Sequence, residues 1–228
     1  MFYALGLGTV CEFSGRALVG TTVGATVAFW IEGAKRRQRL EDEHIVATNV
    51  ALYELSRAWR DLELFRQDRI APVRNTPEAW YTMVPGEVNS PPSALDVTGL
   101  AFLFEGDHPD LPAQVHFEIE RFGAIRKEIE NRSAIHVRDV QPRVEKLLSV
   151  VGQAPETELI RVVGPRLYDT LFHQTKLIIS EVDTALPSIR ATAQRLRAAV
   201  LAEYPNRKII RFEPRAGAQV PTAGASSP

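Results

Sequence analysis

Cysteine is nearly absent from this chain of 228 residues, since Cys11 is the single one. No intramolecular disulfide and no multi-thiolate metal site can be built, so the fold has to be stabilised by packing. Net charge is also nearly absent, at −1 from 27 basic and 28 acidic side chains. A dedicated nucleic-acid binder usually carries a basic field, and we therefore expect no nucleic acid among the partners.

The sequence also lacks the common catalytic signatures. It contains no phosphate-binding Gly-rich loop followed by Lys and Ser or Thr, no His-Glu-x-x-His zinc motif and no Gly-x-Ser-x-Gly elbow. Cys11 has no histidine nearby in sequence to act as its base. We therefore expect a protein that is not an enzyme and that binds no cofactor.

Two weaker patterns keep an enzymatic alternative open. Glu41 with His44 and Glu105 with His108 have the Glu-x-x-His spacing of di-metal helical bundles, but the second pair straddles Gly106. We therefore expect no metal site. Five arginines could come together as an anion-binding site at the point where a middle helix meets the last helix. They are Arg132, Arg138, Arg143, Arg161 and Arg166.

The longest uncharged run lies near the amino terminus, between Ala17 and Ile31. Counted from Phe13, with the Arg16 side chain extending toward the outer surface, the apolar segment has about 19 residues, or roughly 28 Å of helix, which is close to the thickness of a hydrocarbon core. A basic cluster follows it, formed by Lys35, Arg36, Arg37 and Arg39. The sequence predicts a membrane anchor over residues 1–33 in a bacterial inner membrane, with the amino terminus outside, the remainder cytoplasmic and the basic cluster at the lipid headgroups.

Two alternatives compete with the anchor. A cleavable signal peptide would need its basic residues before the apolar run, whereas the cluster comes after it. A buried soluble helix would account for the apolarity but not for the flanking cluster.

Small residues follow one face of the predicted anchor. Gly20, Gly24 and Ala28 are spaced four apart, which lets two helices approach closely in lipid and predicts a homo-oligomer. Glu12 and Arg16 are also four apart, and we expect them to form an ion pair at the outer membrane edge. The same small residues are common in membrane helices, so a monomeric anchor stays open.

The rest of the chain predicts an all-α fold, a cytosolic antiparallel helical bundle over residues 34–205. Apolar side chains recur at three- and four-residue steps in helices beginning near Gly33, Asp110 and Pro165. Five prolines and a glycine forbid a long helix in the proline-rich segment, residues 71–92, whose Trp80, Tyr81 and Met83 we expect to be buried as lid packing rather than exposed for docking. Residues 206–228 are predicted to be a mostly disordered tail, with an extended piece at 208–212.

Two functions fit these features. The first is a single-pass inner-membrane protein whose cytosolic bundle binds a protein partner, as an adaptor, sensor or assembly factor. The alternative is a membrane effector that oligomerises and permeabilises the membrane, as in bacterial antiphage defence. The basic cluster and the absence of catalytic motifs favour the first, and the small residues of the anchor favour the second.

Overall fold

A computed structural model describes the backbone over residues 8–88 and 95–212, and the side chains from residue 29 onward within those ranges. All regular structure in these ranges is helical and none of it is strand. The all-α prediction is therefore confirmed for this part of the chain. The chain divides into two compact units, Met1–Val46 and Ala47–Pro228.

The described helices follow one another along the chain. They are α1 (Gly8–Phe65), α2 (Ala79–Thr82), α3 (Leu111–Ile135), α4 (Gln141–Val151), α5 (Glu156–Val163) and α6 (Pro165–Glu203). A π-helical turn, Arg66–Ile70, extends α1, and a second one, His136–Val140, joins α3 to α4. A 3-10 helix, Val97–Glu105, precedes α3.

The second unit is built around the antiparallel pair of α3 and α6. Arg195 near the end of α6 reaches Asp110 before the start of α3, whereas Arg132 near the end of α3 reaches Thr175 in the first half of α6. The predicted stripes of both helices are buried between them and their neighbours. On α1 the side chains of Leu52, Leu55 and Leu62 are fully buried, as the helical periodicity predicts.

A π-helical turn interrupts the long middle helix just before Pro142. Pro142 lacks the N–H that would bond four residues back, and its ring crowds the carbonyl there. The π-helical turn His136–Val140 lies immediately before it, and such wider turns accommodate a disturbed hydrogen-bond ladder. Gly152, with φ of 73°, then ends α4, and Gly164, with φ of 96°, comes directly before Pro165 at the start of α6.

The 3-10 helix Val97–Glu105 is less buried than its composition predicts. Asp96 caps it by accepting a hydrogen bond of 2.9 Å from the Thr98 amide. Leu100 and Leu103 are buried, but Phe104 is more than half exposed. The apolar run that includes Leu100, Leu103 and Phe104 predicts a short, fully buried helix. That prediction was wrong, because three-residue periodicity leaves one side of so short a helix facing solvent.

The last described residues, Lys208–Phe212, form a non-helical segment that we call the C-terminal strap. The Asn49 side chain of α1 holds it at two points, since its Nδ2 donates to the Lys208 carbonyl at 3.4 Å and its Oδ1 accepts from the Ile210 amide at 2.9 Å. Ile209 is buried, and the Phe212 ring meets Trp59 edge-on at 5.8 Å. The remainder of the predicted tail, residues 213–228, lies outside the described residues.

Candidate functional site

The residues of the predicted membrane anchor are only partly described. The backbone from Gly8 onward is helical, but the side chains of Glu12, Arg16, Gly20, Gly24 and Ala28 lie outside the described residues. Within the part of the chain that the structure describes, no helix is both long and apolar enough to cross a membrane. The anchor therefore gains no support from the structure.

The predicted headgroup contacts lie on α1 in the first unit. Lys35, Arg36, Arg37 and Arg39 are all exposed. Lys35, Arg36 and Arg39 line one groove with Ile31 and Glu32. Their exposure leaves them accessible to anionic groups.

The aromatic residues of the proline-rich segment pack inward. Trp80 is 1% exposed and Met83 is equally buried, so the prediction of lid packing is confirmed for them. The Trp80 ring meets the edge of Tyr168 on α6 at 5.1 Å, and its Nε1 donates to a Glu156 carboxylate oxygen at 3.3 Å. The buried tryptophan fixes α2 against the start of α5 and α6, because an indole of this size contributes a large apolar area.

A buried arginine holds the backbone of the same segment. Arg132 on α3 is 1% exposed, and its guanidinium donates to the Trp80 carbonyl at 3.1 Å and to the Thr175 hydroxyl at 3.0 Å. Burial lowers the pKa of Arg132 to about 10. The two contacts recorded for this charge are neutral acceptors, which satisfy hydrogen bonds without neutralising it.

Two neighbours of Arg132 also form hydrogen bonds with the backbone of the proline-rich segment. Ser133 donates to the Gly86 carbonyl at 2.9 Å and accepts from the Gly86 amide at 3.1 Å. One turn further on, His136 Nε2 lies 2.8 Å from the Tyr81 carbonyl, so this nitrogen carries the proton and donates. Burial, followed by the charge of Arg132, lowers the pKa of His136.

The cluster of Arg132, Ser133 and His136 positions the backbone of the proline-rich segment. Its donors are directed at main-chain atoms of the proline-rich segment, and it contains no nucleophile paired with a base. The pattern of Arg132, Ser133 and His136 at one helix end was visible in the sequence, but nothing in a sequence shows that their partners are carbonyls some fifty residues away.

The arginines of the predicted anion site make separate local contacts. Arg132 is buried as described, Arg138 pairs with its neighbour Asp139, and Arg143 donates to the Val163 carbonyl at 2.7 Å. Arg161 pairs with Glu158, and Arg166 is exposed at the start of α6. Local carboxylates and a helix C-terminus therefore engage three of these side chains, and the anion site gains no support from the structure.

The two Glu-x-x-His pairs belong to different units of the chain. Glu41 and His44 lie on α1 in the first unit, whereas Glu105 ends the 3-10 helix and His108 follows it in the second. Within the described ranges no three side chains of His, Cys, Asp or Glu come together as metal ligands would.

The surface of α1 in the second unit carries an apolar ridge that the sequence analysis missed. We define the α1 ridge as Val50, Tyr53, Arg60 and Leu64. Val50 is 48% exposed, Tyr53 is 56% exposed and Leu64 is 51% exposed. Steps of three, seven and four residues place them on one side of the helix, opposite the buried Leu55 stripe. The signal was present as a second apolar periodicity, which the stronger buried stripe obscured.

Polar side chains interrupt the α1 ridge at its centre. Arg57 is paired there with Glu54 at 2.7 Å, and Arg60 is exposed between Tyr53 and Leu64. A surface with apolar ends and a cationic centre can recognise both an apolar side and a carboxylate of a partner.

Comparison of the chain with protein-family models, with curated proteins and with solved structures finds no match.

Proposed function

We propose that this protein is a single-pass inner-membrane adaptor, sensor or assembly factor whose helical bundle binds a protein partner through the α1 ridge. The observation that carries the proposal is the exposure of Val50, Tyr53 and Leu64 on the face of α1 that is turned away from the buried stripe. Exposed single apolar residues are ordinary, but three aligned along one helix form a surface that a second helix can cover.

The chemistry of the ridge favours one kind of partner. Its apolar residues suit the apolar face of an amphipathic helix, and Tyr53 has the character of an interface anchor. Arg60 lies within the ridge and favours a glutamate or aspartate on the partner at that level. The partner that fits is therefore an amphipathic helix with an acidic residue among its apolar positions.

A second copy of the chain fits the same surface less well. Two copies anchored in one membrane would run parallel, so that Arg60 of one would face Arg60 of the other. Like charges across an interface cost several kcal/mol. We therefore assign the α1 ridge to a different protein, and leave homo-oligomer formation to the predicted anchor face of Gly20, Gly24 and Ala28.

Site-specific photocrosslinking in living cells tests this proposal. A photoreactive phenylalanine derivative replaces Tyr53, and the matched position is Phe117, an exposed aromatic residue on α3. We expect one discrete adduct with a heterologous protein from position 53 and none from position 117. Mass spectrometry of the adduct should locate the crosslink in a helical segment with acidic residues.

Charge reversal gives the second arm of the test. Arg60→Glu should reduce the adduct roughly ten-fold or more, since it places a like charge opposite the partner's carboxylate. Arg190→Glu, an exposed arginine on α6, makes the same charge change elsewhere and should leave the adduct intact. An adduct only with a second copy of the chain, or equal adducts from positions 53 and 117, would refute the docking proposal.

The membrane part of the proposal is tested separately. The uncharged run of residues 17–31 followed by a basic cluster supports a single span with the bundle on the cytoplasmic side. Carbonate extraction of cell membranes should leave the chain in the pellet, and a fluorescent-protein fusion at the carboxy terminus should fluoresce. Release of the chain into the carbonate supernatant would refute the membrane anchor. The proposal that the α1 ridge binds a partner would then be tested on its own.

The runner-up is a membrane effector that oligomerises through the anchor and permeabilises the membrane, as in antiphage defence. The four-residue spacing of Gly20, Gly24 and Ala28 favours it. Inducible expression should then depolarise the membrane, and the double variant Gly20→Leu, Gly24→Leu should abolish this effect. Equal depolarisation by the double variant and the wild type would count against the effector.

A further inference from the structure

We propose that Arg197 and Arg211 form a binding site for a phosphate group where α6 meets the C-terminal strap. The two arginines line a pocket of about 300 Å³. Gln194, Arg197 and Ala198 supply its α6 wall, and Arg211 and Phe212 of the strap supply the other. Among the described residues that line this pocket, two are positively charged and none is a carboxylate.

The Arg197 guanidinium supplies the strongest sign of a missing partner. Its Nε is buried and has no hydrogen-bond acceptor. A buried N–H without a partner costs about 1–3 kcal/mol, and such groups commonly mark the place of a ligand or an ordered water. The neighbouring Arg195 shows the ordinary outcome on the same helix, since it donates to both Asp110 and Gln114.

The strap fixes Arg211 opposite Arg197. Asn49 binds the strap backbone at Lys208 and Ile210, directly before Arg211, and the Phe212 ring is held edge-on against Trp59 directly after it. The backbone of Arg211 is therefore placed by contacts on both sides. A site positioned in this way loses less entropy on binding than one on a free tail.

A phosphate fits the two arginines better than a carboxylate does. One guanidinium fork already matches both oxygens of a carboxylate, whereas a tetrahedral phosphate has further oxygens for a second fork arriving from another element. The Gln194 side-chain amide on the same wall offers an additional donor. The volume suits a phosphate with a small substituent, which is either a soluble phosphate compound or the headgroup of an anionic phospholipid.

Thermal unfolding of the full-length chain in a phosphate-free detergent tests the site. Sodium phosphate should raise the Tm of the wild type above its value in sodium chloride at equal ionic strength. The double variant Arg197→Gln, Arg211→Gln should bind phosphate ~10-fold or more weakly, because it removes both guanidinium groups that would donate charge-assisted hydrogen bonds. Arg190→Gln on the same helix is the matched control and should respond as the wild type does.

The single variant Arg211→Gln controls for a folding defect in the double variant. Arg211 is exposed, so its replacement should leave the far-ultraviolet circular dichroism unchanged. Phosphatidylglycerol added to the micelles distinguishes a lipid headgroup from a soluble phosphate compound as the ligand. If it raises the Tm in an arginine-dependent way and removes the phosphate effect, the ligand is a lipid headgroup. If the phosphate effect persists, the ligand is soluble. No phosphate effect on the wild type, an equal effect of chloride, or an equal effect on the double variant would overturn the proposal.

Discussion

Replacing Gly99 by alanine should destabilise the bundle, because the 3-10 helix approaches α1 closely at this point. A Cβ added at Gly99 would lie 2.8 Å from the Cβ of Ala47. Overpacking of this kind costs about 1–3 kcal/mol, whereas replacing glycine by alanine in helical backbone returns about 0.5–1 kcal/mol through the unfolded state. We therefore expect a net loss of about 1 kcal/mol.

The partner substitution should reverse the effect. In the Ala47→Gly background, the nearest atom to the Cβ added at position 99 is the Cα of residue 47, at 4.0 Å, which is an ordinary contact. Gly99→Ala should then be neutral or stabilising, although Ala47→Gly itself costs up to about 1 kcal/mol of helix propensity. The double-mutant cycle should give a coupling free energy of about 1–3 kcal/mol.

Thermal unfolding of the four proteins measures the cycle. A change of 1 kcal/mol corresponds to about 2–4 °C in a chain of this size. Gly123→Ala on α3 is the control, since a Cβ there meets no atom within 4 Å and should raise the Tm slightly. Equal effects of Gly99→Ala in both backgrounds would refute the close packing of the 3-10 helix on α1.

Three further outcomes follow from the buried contacts. Arg132→Ala should lower the free energy of unfolding by about 3 kcal/mol or more in urea titrations, since it leaves a cavity and a carbonyl without its donor; a loss below 1 kcal/mol would contradict the grip on the proline-rich segment. Asn49→Ala should cost about 1 kcal/mol and speed hydrogen exchange of the Ile210 amide, and unchanged exchange there would dismiss the strap contact. Because the pKa of His136 is lowered on folding, the unfolded chain binds the extra proton, so stability should fall as pH drops below about 6.5. His136→Gln keeps a donor without the titration and should flatten that fall, and an identical pH profile in urea titrations would rule this cause out.

The predictable parts of the fold are those set by local chemistry. Periodic apolar residues placed α1, α3 and α6, and the prolines and glycines placed their ends, because hydrophobic spacing and backbone restrictions act over a few residues. The burial of Trp80 and Met83 followed from side-chain size. Phe104 was misplaced because composition alone cannot assign the faces of a short 3-10 helix.

The candidate sites were harder to predict because their contacts join distant positions. Five arginines of the middle and last helices were placed where they could gather, yet the structure engages most of them locally or buries them. Two other arginines, Arg197 and Arg211, share a pocket between α6 and the strap, and the contacts of Asn49 and Phe212 show that the strap is held there. The α1 ridge needed a structure to show which of two apolar periodicities is covered.

The sequence by itself determined that this protein is helical, where its helices break and that its amino-terminal run is apolar with a basic flank. These properties depend on neighbouring residues and on composition, which the sequence states directly. Only the tertiary structure decided that Arg132 is buried against carbonyls, that Tyr53 remains exposed and that Arg197 and Arg211 share one pocket. Such outcomes depend on which surfaces meet when residues far apart in the chain pack together, and no local pattern encodes that choice.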